Sequence, residues 1–260
     1  MPNAKDHKAQ AKKILAVGNA GGGKTAAFCT LPGKKFIYIF DPSALETLQG
    51  QDVDYEIFLP DELNMSATAL KAGVADRPAR QKEPKAYREF EQDFEKKLES
   101  GFFNDYDVIG FDSMTTFSDA LMDRILWLNK RLGKHPEMAD WTATMNSIVN
   151  VLRTLTSIQG KVIYVTAHLD MAKDEVTGKI QNQLNLIGKL KSKLPLLFSD
   201  VWLFYADQDR EKKTRFYIQT QQDRYNPFLR CSIRNCETVE DVTIGDWGKP
   251  EEFGVGKLLA

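Results

Sequence analysis

Residues 14–25 read ILAVGNAGGGKT. The opening ILAV is a short apolar run of the kind that forms a buried strand. The residues after it are poor material for a core: Gly18, Asn19, Ala20, Gly21, Gly22 and Gly23, then Lys24, Thr25 and Ala26. Gly18, Gly23, Lys24 and Thr25 fit the spacing G-x-x-x-x-G-K-[ST]. Glycines let successive backbone N–H groups turn inward around an anion. A helix opening near Lys24 adds the positive end of its dipole at the same point. Lys24 can then reach the outer phosphates of a nucleoside triphosphate, and the Thr25 hydroxyl can ligate Mg²⁺. ATP with Mg²⁺, bound along residues 18–26, is the expected ligand.

A phosphate loop needs a second, acidic element. Residues 106–113 read YDVIGFDS, an apolar strand ending in Asp112. The strand's end lies at the carboxyl edge of the sheet, where open α/β sheets bind ligands. Asp112 is therefore the expected partner of Thr25 on the metal, directly or through water. Asp107, at the strand's start, reads as a solvated residue.

Four more strands are predicted from β-branched and aromatic content: KFIYIF at 35–40, KVIYVT at 161–166, VWLFYA at 201–206 and RFYIQT at 215–220. Helices alternate with them. A short one over 24–30 stops at Pro32 and Gly33. Another, after Pro84, carries Tyr87, Phe90, Phe94 and Leu98 on one face and Asp93 with Lys97 on another, and stops at Gly101. A third carries Leu121, Ile125, Leu128 and Leu132, with Ser118 as its cap. A fourth, over 140–160, carries Trp141, Met145, Ile148, Leu152 and Leu155. This alternation predicts an α/β fold, a mostly parallel twisted sheet with helices on both faces.

Residues 1–13 read as a flexible basic lead-in, 14–235 as one domain, and 236–260 as an irregular tail packed on the domain or trailing it. Residues 60–84 read as an insertion or mobile loop. The formal net charge of −1 argues against a general nucleic-acid coat, so any such contact must come from a local patch. Cys29, Cys231 and Cys236 do not make a disulfide framework, and they suit a reducing cytoplasm. No run of apolar residues is long enough to span a bilayer, so no membrane association is expected.

GNAGGGKT at 18–25, VIGFDSMTTF at 108–117 and VIYVTAHLD at 162–170 together resemble the RecA-like P-loop ATPases. More narrowly, their order resembles the short single-domain ATPases that phages encode beside single-strand annealing proteins. The likeness runs over residues 14–235. It implies a RecA-like core, Mg²⁺-dependent ATP hydrolysis stimulated by single-stranded DNA, and a role in phage recombination or replication in the host cytoplasm. It further implies that His168 senses the γ-phosphate, where RecA itself carries glutamine. One departure stands out. The family usually carries a glutamate just after the second strand to orient the attacking water, and this chain reads IFDPSALE at 39–46, with Ser43 at that place. Asp41 or Glu46 must take the role, or hydrolysis is slow.

The resemblance also implies a DNA-contacting loop after the sensor strand, residues 169–194. Lys173, Lys179, Lys189, Lys191 and Lys193 lie there in a polar, glycine-containing stretch suited to phosphate contacts. Lys5, Lys8, Lys12 and Lys13 would extend the patch or form only a tail. Relatives of this kind assemble into homo-oligomers, and a neighbour's cation completes the site. Arg224 is the first candidate, ahead of Lys212, Lys213 and Arg215. The short lead-in implies no separate N-terminal polymerisation domain, which leaves ring or filament open. A rival reading is a nucleotide-switched, weakly hydrolysing mediator that loads an annealing or single-strand-binding protein. A small-molecule kinase and a DNA-packaging motor fit less well, since neither an arginine-rich lid nor a nuclease-like acidic cluster is evident.

Overall fold

The computed structural model describes residues 11–59, 82–173 and 178–259. Alternation along the strands sets its layers. In β1 (Lys13–Val17), Leu15 and Val17 join one apolar cluster while Ile14 and Ala16 join another. In β2 (Lys35–Ile39), Phe36 and Tyr38 join the first and Ile37 and Ile39 the second. Strands apolar on both sides must be covered on both sides.

The covering elements come in chain order. α1 (Lys24–Cys29) precedes β2, and α2 (Ala44–Leu48) precedes β3 (Asp54–Ile57). α3 (Ala86–Glu99) precedes β4 (Val108–Asp112), which runs into α4 (Met114–Leu128) and α5 (Met138–Ser157). β5 (Val162–Ala167) is followed by β6 (Leu169–Lys173), β7 (Ile180–Leu184) and α6 (Leu190–Lys193). β8 (Asp200–Gln208), β9 (Thr214–Gln219), β10 (Val239–Asp241) and α7 (Gly254–Leu259) complete the described chain. The main sheet has the order β10-β9-β8-β1-β5-β4-β2-β3. The six strands from β8 to β3 run parallel, and β9 and β10 add antiparallel at one edge. This is the mostly parallel α/β architecture that the sequence predicts.

The face under α3, α4 and α5 is rich in aromatic rings. Phe90 of α3 lies 5.2 Å from Tyr38 and 5.2 Å from Phe117, centroid to centroid, and edge-on to both. Such edge-to-face pairs add roughly 0.5–1.5 kcal/mol each beyond area burial. The opposite face packs Phe28 and Cys29 of α1, Ala44 and Leu48 of α2, and Val255 of α7 over Tyr164, Trp202 and Phe204.

Several expectations need correction. The cap of α4 is Ser113, whose side chain accepts from the Thr116 N–H; Ser118 is buried inside the helix. Asp93 and Lys97 pair as their spacing predicts, and Lys97 is buried, with its ammonium 5.3 Å from the Phe36 ring centroid and 5.1 Å from that of Phe102. Asp107 is exposed, as expected, and its carboxylate also accepts the Lys34 N–H at 2.8 Å. Lys13 begins β1, and Lys12 donates to Ser232 at 2.6 Å, so neither belongs to a flexible tail. The stretch beyond 235 is more regular than expected, with β10, a 3-10 turn at Pro250–Glu252 and α7. The insertion read at 60–84 lies outside the described residues up to 81, as do Lys5 and Lys8.

Candidate functional site

The site is set by ladder register. Val17 of β1 stands opposite Ala167 of β5, so Gly18 and His168 leave the sheet side by side. Ile39 of β2 stands opposite Asp112 of β4, and the Phe40 N–H donates to the Asp112 carbonyl at 2.6 Å. Asp41 therefore emerges next to Asp112. Phe111 pairs with Val165, which sets Thr166 beside Asp112. Four parallel strands deliver their next residues to one edge.

At that edge the Thr25 hydroxyl donates to Asp112 Oδ2 at 2.6 Å, and the Thr166 hydroxyl donates to Asp112 Oδ1 at 2.5 Å. Lys24 Nζ donates to the carbonyls of Gly18 (2.9 Å) and Asn19 (2.8 Å), and the Tyr164 hydroxyl donates to the Lys24 carbonyl at 2.7 Å. The Asp112–Ser113 peptide is cis. Asp112 is 3% exposed and Lys24 6%. Burial pushes the Asp112 carboxyl above the usual range, opposed by the two hydroxyls and by Lys24. Burial likewise draws the Lys24 ammonium below its ordinary value, opposed by Asp112 and Asp41. Each charge is tolerable because the other is near. The loop glycine has its own reason: a Cβ on Gly18 would sit 2.2 Å from the Phe204 carbonyl of β8, and its φ is +154°.

Ser43, at the place where the resemblance leads one to expect a glutamate, serves Asp41. Its N–H and its hydroxyl both donate to Asp41 Oδ1, at 3.0 and 2.7 Å. Asp41 Oδ2 lies 3.9 Å from His168 Nε2. Burial holds the His168 imidazole below its ordinary value, helped by the Lys24 ammonium and partly offset by Asp112, Asp41 and the Gly18 backbone. The ring is thus a neutral group poised between the loop and a fixed carboxylate. Glu46, in the first turn of α2, is exposed.

These groups line one cleft of about 630 Å³. Residues 20–26, Asp41, Glu46, Asp112 and His168 form one part of its wall. Phe216, Val242, Ile244 and Trp247 form another, to which nothing in the sequence pointed. No motif could have found them, because an apolar wall needs only bulk and shape. The donor set suits Mg²⁺: one hydroxyl and one carboxylate leave the remaining positions to phosphate oxygens and water, as that ion prefers. Among the described residues, no group of three or more His, Cys, Asp or Glu forms an all-protein metal cage.

The segment expected as a flexible loop over 169–194 is instead largely built structure. β6 and β7 pair as an antiparallel hairpin, with Lys173 opposite Ile180, and Lys179 lies beside this pair. Residues 174–177 lie outside the described chain. Lys189, Lys191 and Lys193 sit at and within the α6 turn. The hairpin begins directly at the cleft: the His168 N–H donates to Thr115 Oγ1 at 3.0 Å, and its carbonyl accepts the Asn185 N–H at 2.8 Å. Arg224 does not line the cleft. Its guanidinium lies 4.5 Å from the Tyr225 ring centroid, and the Tyr225 carbonyl accepts the Asn182 N–H of β7 at 2.9 Å. Arg215 pairs with Asp209 at 3.1 Å and Lys213 with Glu211 at 2.8 Å, while Lys212 sits in the same turn with φ +62°.

A family model described as an AAA domain matches residues 10–227. No curated protein matches the sequence. Among solved structures, a KaiC-like protein from the hyperthermophilic archaeon Pyrococcus horikoshii OT3 aligns over 95% of this chain and 90% of its own, at 10% identity and a TM-score of 0.45.

Proposed function

The chain belongs to the AAA domain family, and from that premise we propose that it hydrolyses ATP with Mg²⁺ at the cleft and couples the cycle to single-stranded DNA. The observation that carries the hydrolytic part is the Thr25–Asp112–Thr166 hydrogen-bond chain beside the buried Lys24 ammonium. In this reading Thr25 and Asp112 hold the metal. When bound, Mg²⁺ neutralises phosphate charge and fixes the phosphate oxygens. Lys24 leaves the Gly18 and Asn19 carbonyls for the triphosphate, which offers it a full negative charge in place of two dipoles. Asp41 orients the attacking water, since Ser43 fixes its carboxylate and Glu46 lies exposed on α2. The neutral His168 donates one N–H toward the γ-phosphate and registers its loss.

Two features support the DNA part. Lys173, Lys179, Lys189, Lys191 and Lys193 cluster on and after a hairpin whose first residue follows His168. The ring of Tyr225 lies exposed beside that hairpin, where a base could stack. A shift of His168 on phosphate loss would pass into the hairpin through the Asn185 hydrogen bond. Homo-oligomerisation, with Arg224 acting on a neighbour's site, and service in phage recombination or replication in the host cytoplasm rest on the resemblance of the motifs. Among the described residues, no helix is long and apolar enough to cross a membrane.

An ATPase assay with and without single-stranded DNA, run beside size-exclusion chromatography, tests the proposal. Turnover that rises on adding single strands is expected. Filter binding with no ATP-dependent affinity for single strands would remove the DNA part. Ser43 in place of glutamate favours the second reading, a slow nucleotide switch that loads an annealing protein, and tight ATP binding with negligible phosphate release would select it.

A further inference from the structure

We infer that residues 242–247, beyond the stretch the AAA domain model matches, form the seat of the nucleobase, with Trp247 as its stacking surface. The inference rests on the nucleotide reading of the cleft and specifies its other end. The loop end offers N–H groups, an ammonium, a hydroxyl and a carboxylate. An apolar wall begins at Phe216, whose ring packs against Gly23 of the loop, and continues through Val242, Ile244 and Trp247; Gln49 and Gln51 also line the cleft, and the Gln51 amide donates to the Trp247 carbonyl at 3.5 Å. A ligand filling both ends must carry anionic groups at one end and a flat apolar ring with polar edges at the other. A purine nucleoside triphosphate meets that description. Trp247 is 45% exposed, an unusual cost for an indole unless something covers it.

The wall is held firmly enough to serve. β10 pairs with β9, and the Val242 N–H donates to the Phe216 carbonyl at 2.8 Å. The Phe216 N–H donates to Thr243 Oγ1 at 2.9 Å. Beyond Trp247, Glu251 pairs with the buried Lys35 at 2.7 Å. The Gly256 N–H then donates to Thr30 Oγ1 at 3.1 Å, in a contact so close that a Cβ there would lie 1.9 Å from the Thr30 carbonyl. Thr30 directly follows the helix that begins at Lys24. The C-terminal segment is thus clamped to the helix that carries the loop lysine, and the two ends of the cleft form one unit.

Calorimetric titration of the full chain with Mg-ATP and with Mg-tripolyphosphate tests this. Trp247→Ala is expected to weaken ATP on the order of tenfold and to leave tripolyphosphate unchanged, with Trp247→Phe close to wild type for both. ATP should also quench the indole emission of the wild type more than tripolyphosphate does, and Trp247→Phe should lose that difference while the other three of the chain's four tryptophans remain. Unchanged ATP affinity in Trp247→Ala, or equal weakening of both ligands, overturns the inference while the phosphate site stands. Binding of neither ligand by the wild type overturns the functional reading and this inference together.

Discussion

At the loop end of the cleft, Lys24, Thr25, Asp112 and Thr166 meet through hydrogen bonds of 2.5–2.9 Å to one another or to loop carbonyls; Lys24, Asp112 and Thr166 are buried and Thr25 is half-buried. Beyond Phe216, whose ring packs against the loop at Gly23, the second end has the apolar side chains of Val242, Ile244 and Trp247, and the last is 45% exposed. In the proposed function the first end would bind by charge, which depends on particular atoms at fixed spacing. The second would bind by area, which depends on shape and tolerates substitution. Changes at the loop end should therefore act on turnover by orders of magnitude, and changes at the apolar end on affinity by modest factors.

The sharpest way to break that contrast is Lys24→Ala. In the proposed mechanism the lysine compensates charge at the transferring phosphate, so turnover should fall on the order of 10²–10³-fold or more. Steady-state phosphate release measures it, and turnover near wild type would mean that the buried ammonium is structural. Asp112→Asn comes next. It keeps one hydroxyl as a donor to the amide oxygen, obliges the other to accept from the amide N–H, and removes the charge proposed to hold the metal, so Mg²⁺-dependent turnover should fall roughly 10²-fold. ATP affinity in EDTA should hold steady. A loss of affinity without metal would show that the carboxylate shapes the loop and does not act on the metal.

The same contrast explains what the sequence disclosed. GNAGGGKT and the strand ending in Asp112 are directly legible, because phosphate and metal chemistry admit few residue types. The strands are legible because KFIYIF and its counterparts are runs of β-branched and aromatic residues, the composition of strands buried on both faces. The hairpin is not. LDMAK and IQNQL carry no clean alternation, since the two strands pair only with each other and most of their residues are half-buried or exposed. β3 is similarly exposed. Ser118 looks like a cap when the helix is counted from Leu121, yet the apolar spacing of Met114, Phe117 and Leu121 starts the helix earlier, at Ser113. Ser43 draws notice for the glutamate it replaces, whereas its function is local: it folds back on Asp41 two residues before it. The apolar wall of the cleft lies far along the chain and carries no motif.

Asp41 and Glu46 sharpen the contrast within the loop end. Both line the cleft, but only Asp41 is fixed by Ser43 and faces His168. A water-orienting group must hold its geometry. Asp41→Asn should lower kcat by about 10²-fold with little change in KM, and Glu46→Gln by less than about threefold. The reverse ranking in single-turnover kinetics would transfer the role to the helix.

The smallest expected effect is on stability against pH, and it isolates the electrostatic character of the loop end. Burial lowers the His168 value in the folded protein, and Lys24 acts in the same direction against Asp112 and Asp41. The unfolded chain keeps an ordinary histidine near about 6.5. As pH falls below that ordinary value, the unfolded chain takes up a proton that the folded protein refuses until the lower folded value is reached. Acidification through this window therefore costs stability, and above the window the group contributes nothing. His168→Gln removes this term. Asp112 works in the opposite sense, since its raised value lets the folded protein take up a proton first, but that contribution stays in both proteins. Thermal melts at pH 7 and pH 5.5 should show the wild type losing more Tm than His168→Gln, and Trp247→Ala should keep the wild-type loss because it alters no titrating group. Equal losses in wild type and His168→Gln would mean that the imidazole is not held neutral by its surroundings, and the sensing role assigned to it would lose its physical basis.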